Sequence, residues 1–157
     1  MKIAVTGHRP NKLGGFDAQE AHRAIRRHMR DLLQKHDNPE LISGGALGID
    51  QMWIQVGLYL DLKITAVLPF KGYNEKWPLR SQIEYQELLD QCKEVRYIAD
   101  EFSMAAYQKR NEWMVDNSDL LIAYWNGSNG GTANCVQYAR NTNRNILIFN
   151  TDAFLKI

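Results

Sequence analysis

Glycine-rich loops follow three short apolar runs in this 157-residue chain, and the loops after the second and third lead directly into segments of helical periodicity. Residues 2–6 (KIAVT) run into Gly7, His8 and Arg9; Leu41 and Ile42 run into SGGALGID; residues 119–125 (DLLIAYW) run into NGSNGGT. Short β-branched or apolar runs closed by glycine read as buried strands. When strands alternate with helices the sheet is parallel, so every strand-to-helix loop opens at the same edge. Few folds other than a layered α/β sheet satisfy that pattern.

The rest of the chain keeps the alternation. From Asp17, a good N-cap, Ala18, Ala21, Ile25, Met29 and Leu32 with Leu33 recur at helical spacing, with arginines opposite, to about His36. Met52, Trp53, Val56 and Leu60 mark a second helix from Asp50; residues 63–68 (KITAVL) are a strand closed by Pro69. Helices are expected over about 79–91, 103–117 and from the NGSNGGT loop to Arg140, with further strands at 94–99 and 145–149. The expected architecture is one α/β domain over residues 1–157, a three-layer α/β/α sandwich around a mostly parallel sheet of about six strands, joined by right-handed crossovers.

Composition narrows the function classes. Lysine plus arginine number 19 against 18 acidic residues, so no bulk positive field holds a long polyanion, and general nucleic-acid binding is disfavoured. The N-terminus turns polar after a few apolar residues, short of the ~7 to 15 of a signal peptide and the ~20 of a membrane span. A cytoplasmic protein without membrane contact is expected. Cys92 and Cys135 stand far apart without a CxxC or Cys/His cluster, which suggests reduced thiols, no disulfide, and neither a metal site nor a resident cofactor.

The loops themselves propose the chemistry. Glycine lets backbone approach a phosphate, and the helix that follows offers free N–H groups and the positive end of its dipole. Neither SGGALG nor GSNGG is a Walker loop or a GxGxxG fingerprint, which disfavours a nucleoside triphosphatase or a common dehydrogenase. The candidate ligand residues are Gly7, His8 and Arg9; Ser43, Gly44, Gly45, Gly48 and Asp50; and Gly127, Ser128, Gly130, Gly131 and Thr132. Arg9 and Arg110 offer planar forks for phosphate or carboxylate. His8 either contacts a ligand or orders its own loop. Lys71, Tyr73, Glu75 and Trp77 belong to a long loop that either walls the pocket or, through Trp77, pins itself to the core. Glu75 and Glu84 are further acid candidates, and Trp113 and Trp125 fit buried stripes.

TGHRP with LGG nearby, SGGALGIDQ, PFKGYNEKWP and QKRNEWMVDNSDLLIAYWNGSNGGT together resemble the YpsA-like branch of the SLOG superfamily across nearly the whole chain. The resemblance implies a Rossmann-like sheet, in agreement with the pattern above. The superfamily also includes the LONELY GUY phosphoribohydrolases and the DNA-processing protein A family. In the LONELY GUY enzymes a PGGxGTxxE motif supplies phosphate-binding glycines and a catalytic glutamate, and RKxxM supplies an arginine. This chain keeps Gly130, Gly131 and Thr132 but has Cys135 at the glutamate position; upstream, Arg110 and Met114 match and Asn111 replaces the lysine.

Hydrolysis of an N-glycosidic bond passes through an oxocarbenium-like state that calls for a carboxylate. Cysteine does not supply one at neutral pH. Asp50, at the start of the second helix, is the replacement candidate; the alternative role is a plain N-cap. Three functions therefore remain open: a sensor or sequestering module for a nucleoside monophosphate or ADP-ribose-like molecule, a phosphoribohydrolase or related nucleotide glycosidase using Asp50 or the 70s-loop glutamate Glu75, and a single-stranded DNA binder. Relatives with this fold pair through surface helices, so a homodimer or higher oligomer is expected.

Overall fold

The computed structural model describes residues 1–155. Six strands, β1 Lys2–Gly7, β2 Glu40–Ser43, β3 Ile64–Phe70, β4 Glu94–Ala99, β5 Leu120–Tyr124 and β6 Ile146–Phe149, alternate with helices α1 Gln19–Leu33, α2 Ile49–Tyr59, α3 Leu79–Asp90, α4 Met104–Asp116, α5 Gly131–Asn141 and α6 Asp152–Leu155. The strands form one all-parallel sheet in the order β4-β3-β2-β1-β5-β6. The chain is thus a three-layer Rossmann-like α/β fold.

Strand alternation sorts the core into two faces. Ile3, Val5, Leu41, Ile64, Ile122 and Tyr124 pack with Ile25, Met29 and Trp53 of α1 and α2. Ala4, Ile42, Val67 and Leu121 pack on the other side with Met114 and Val115 of α4 and Cys135 and Ala139 of α5. In α1 the apolar residues Ala21, Ile25, Met29 and Leu33 are buried at i, i+4, i+8 and i+12, which leaves the arginines outward. α4 starts where expected, because the Ser103 hydroxyl accepts from the Ala106 N–H at 3.1 Å.

Two local expectations are corrected, and two short elements were not anticipated. α1 begins at Gln19 after Ala18, and no side chain caps it, so Asp17 is not its N-cap. β3 runs through Pro69 to Phe70; β2 pairing has ended at Ser43↔Ala66, so a residue without N–H interrupts no rung on that side. A single 3-10 turn at Pro10–Lys12 and the short α6 had no clear periodic signature. No helix among the described residues is long and apolar enough to cross a membrane.

Candidate functional site

The sheet order turns back on itself between β1 and β5. After β1 the chain goes to α1 on one face; after β5 it goes to α5 on the other. Loops that diverge in this way leave a crevice at the carboxyl ends of the strands, where open α/β folds bind ligands. A cleft of about 220 Å³ lies there, with Gly7, His8, Arg9, Asp50, Arg110 and Ser128 in its lining, and with Gly130, Gly131 and Thr132 at the α5 end. That volume is below the ~300 to 1,000 Å³ of a site for drug-sized molecules and suits a fragment such as a sugar phosphate.

Two helix N-termini meet the cleft. α5 starts at Gly131, where an added Cβ would meet nothing within 4 Å. Glycine here keeps space open in front of free N–H groups. At the start of α2, Gly48 adopts φ +94°, and an added Cβ would come within 2.5 Å of the His8 carbonyl oxygen. That glycine is required by the close approach of α2 to the β1 loop, which the Ile49 N–H to His8 C=O hydrogen bond of 3.2 Å fastens.

Asp50 is not an N-cap: Gly48 takes that position, and Asp50 sits one residue inside the helix. Its carboxylate lines the cleft, is buried, and accepts from the Ala46 N–H at 3.2 Å. Burial pushes its pKa above the ordinary value, opposed by the guanidinium of Arg110, the Ala46 N–H and Arg9. A buried carboxyl with a raised pKa can hold or release a proton nearer neutrality.

Arg110 is buried on α4 and crosses the cleft floor. Its Nη1 donates to the Gly44 carbonyl at 2.7 Å and its Nε to Asn111 Oδ1 at 3.1 Å; Asn111 Nδ2 donates to the Gly131 carbonyl at 3.3 Å. Two glycine loops are thereby tied to one helix. Lys12 joins a third loop: its Nζ donates to Ser128 Oγ at 2.8 Å and to the Asn129 carbonyl at 3.4 Å. Arg9, exposed in the β1 loop, completes a lining with three cations against the one carboxylate of Asp50.

His8 lines the cleft, but its ring is held by the loop. Nε2 lies 3.0 Å from the Asn126 backbone N–H and 2.9 Å from its side-chain oxygen, which also accepts from the Ser128 N–H. Burial lowers the His8 pKa, partly offset by Asn126. His28, bonded to the Tyr124 hydroxyl at 2.9 Å, is lowered by burial as well. Both rings favour the neutral form in the folded state, so the unfolded chain takes up protons first on acidification. Stability should decline as pH falls from about 6.5 towards the lower folded values, and His8→Gln with His28→Gln should flatten that slope in urea unfolding at pH 7 and 5.5.

Other sequence candidates form the layer behind the cleft. Ser43 Oγ donates to the Asp50 carbonyl at 2.7 Å, Gly45 accepts from Gln51, and Gly44 carries the Arg110 bond. These residues, with Gly48 and Gly127, shape the loops rather than line the cavity. Lys71 and Glu75 lie away from it: Lys71 pairs with Asp100 at 3.4 Å on the surface, and Glu75 is exposed. Glu84 likewise pairs with Arg80. Trp77 packs edge-on against Tyr73 and Tyr85 and pins its loop to the core. Cys135 is fully buried, and burial pushes its thiol up to about 12, so no thiolate faces the cleft.

The sequence reading missed Lys12, Tyr107, Asn111 and Met114 as lining. Tyr107, Arg110, Asn111 and Met114 stand at i, i+3, i+4 and i+7, one helix face, and that spacing was the available signal. Tyr73 lies behind them, its hydroxyl buried without a hydrogen-bond partner among the described residues and its pKa pushed up to about 12 by burial, with Arg110 opposing.

A family model described as the YspA SLOG family matches residues 3–152. The chain is 32% identical over 131 residues to the uncharacterized SPbeta prophage-derived protein YoqJ of Bacillus subtilis, covering 73% of this chain and 77% of that protein. It is 26% identical over 144 residues to a UPF0398 protein of Oenococcus oeni, covering 84% and 77%. Among solved structures it resembles DNA processing protein A from Helicobacter pylori, described for its single-stranded DNA binding mode. The TM-score is 0.70 at 17% identity, covering 99% of this chain and 72% of that one. That likeness concerns the fold.

Proposed function

The chain belongs to the YspA SLOG family, and on that premise we propose that its β1/β5 cleft binds the phosphate and ribose of a nucleotide-derived small molecule, as a sensor or sequestering module. One observation carries the reading: Gly131 opens the N-terminus of α5 onto a cavity whose lining holds Arg9, Lys12 and Arg110. A phosphate placed there meets free N–H groups, the positive end of the helix dipole and guanidinium forks together. The ligand class is a nucleoside 5′-monophosphate or an ADP-ribose-like molecule.

The phosphate is the anchor of the proposed ligand. Calorimetric titration should find a nucleoside 5′-monophosphate bound at least about 100-fold more tightly than the same nucleoside without phosphate, since two or more charge-assisted hydrogen bonds are lost with it. Equal affinity for the two would place the recognition elsewhere.

The raised pKa of Asp50 beside Arg110 favours a second reading, a phosphoribohydrolase in which this carboxyl activates water or steadies the oxocarbenium-like state. Free base released from a nucleoside monophosphate, and its loss in Asp50→Asn with binding retained, would support turnover. Intact monophosphate after prolonged incubation leaves the binding role alone.

A further inference from the structure

A second groove lies on the α1/α2 surface, lined by Arg23, Arg26, Arg27, Arg30, Gln55 and Tyr59, with a volume of about 320 Å³. The four arginines stand at i, i+3, i+4 and i+7 of α1, one face of the helix, over about 10 Å of its length. Of these four arginines only Arg30 has a carboxylate partner among the described residues, Asp31 at 3.2 Å. Arg26 is half-buried, and burial together with the neighbouring charge of Arg23 holds its pKa below the ordinary arginine value. The opposite wall carries Tyr59, 78% exposed.

Like charges this close repel, and among the described residues Asp31 is the one carboxylate paired with any of them. A bound anion would offset the repulsion. The four guanidinium groups span only about 10 Å, and the whole chain carries a formal net charge of only +1, so this local positive patch fits a compact, densely charged anion better than a long strand. The exposed tyrosine ring beside the guanidinium groups adds a platform for an aromatic base. We propose that the α1/α2 groove is a second ligand site that takes a nucleoside polyphosphate, its phosphates along Arg23, Arg26, Arg27 and Arg30 and its base against Tyr59. This site is independent of the β1/β5 cleft.

Calorimetric titrations at low salt test it with four probes: a nucleoside triphosphate, the monophosphate of the same base, inorganic triphosphate, and labelled oligonucleotides of increasing length. Arg23 and Arg27 are exposed, so Arg23→Gln/Arg27→Gln should keep the fold, which circular dichroism checks. The triphosphate should bind the Gly131→Asp chain, whose cleft is blocked, as well as it binds the wild type. It should bind the arginine double variant at least about tenfold more weakly, and Tyr59→Ala about fivefold or more weakly. Loss in Gly131→Asp, or no change in the arginine variant, would overturn the site. Inorganic triphosphate bound as tightly as the nucleoside triphosphate would remove the base contact and with it the ligand class. Oligonucleotides whose affinity climbs with length would make the groove a strand's track instead. Failure of the monophosphate to bind the wild-type cleft would leave all these outcomes readable.

Discussion

Gly131→Asp should abolish binding of a nucleoside monophosphate while leaving the fold intact. An added Cβ at this position meets no atom within 4 Å, the residue is exposed, and its φ lies outside the left-handed region. An acidic side chain in the first turn of a helix is, if anything, favourable to the helix. Stability should stay within about 0.5 kcal/mol of wild type. In the cleft, the new carboxylate would stand where the phosphate is proposed to sit. At a separation of about 4 Å and an effective dielectric near 20, one such like-charge contact costs roughly 4 kcal/mol, and partial solvation reduces this to as little as about 2 kcal/mol, a loss of about 30- to 1,000-fold. Gly131→Asn has nearly the same size without the charge and should lose far less. Calorimetric titration of both variants measures the difference, and equal losses would mean that bulk rather than charge decides.

Arg110→Ala should be the most damaging change to the site's own structure, costing about 3 kcal/mol at neutral pH in urea unfolding. It removes the bond to the Gly44 carbonyl and leaves Asp50 buried with its main opposing cation gone. Part of that cost belongs to the carboxylate, so Arg110→Ala/Asp50→Asn should recover about 1 to 2 kcal/mol relative to the sum of the single changes. The sign of the pH dependence follows from the raised pKa. Asp50 binds its proton more tightly in the folded chain than in the unfolded one, so its contribution is most favourable below the ordinary value of 3.8 and is lost as pH rises through the higher folded value. Asp50→Asn should therefore stabilise the protein at pH 7, by an amount that shrinks as the pH is lowered. A destabilised Asp50→Asn at pH 7 would show that the charge of Asp50, not its burial, dominates.

The architecture was legible because each level of the sequence agreed. KIAVT and DLLIAYW are β-branched or apolar runs too short for helices, and α1 shows its buried face at the spacing of Ala21, Ile25, Met29 and Leu33. The loops at Gly7, Gly44 and Gly131 marked the correct sheet edge, since parallel strands put all such turns together. Side-chain roles within the loops were less legible. Asp50 resembled a cap because aspartate caps helices; that Gly48 takes the position depends on the approach of α2 to the His8 carbonyl, a contact across 40 residues. Lys71 and Glu75 follow a strand in the same way as the site loops, but Trp77 packs on Tyr73 and Tyr85 and holds that loop against α3. Lys12 reaches the cleft region through Ser128, 116 residues away, and local sequence does not show that pairing.

If the β1/β5 cleft holds phosphate and ribose, ligands that carry both should raise the thermal midpoint of the wild-type protein. Nucleoside monophosphates, ADP-ribose, NAD and cyclic dinucleotides would each be added to the same preparation, with the parent nucleosides as controls. A ligand at about 100 times its dissociation constant adds about 2.7 kcal/mol, which for a chain of this size raises the midpoint by about 5 to 11 °C. A shift of that order is expected for at least one phosphate-and-ribose ligand, none for its parent nucleoside, and its disappearance in Gly131→Asp. An unchanged midpoint across the whole panel would contradict phosphate-and-ribose binding in the cleft.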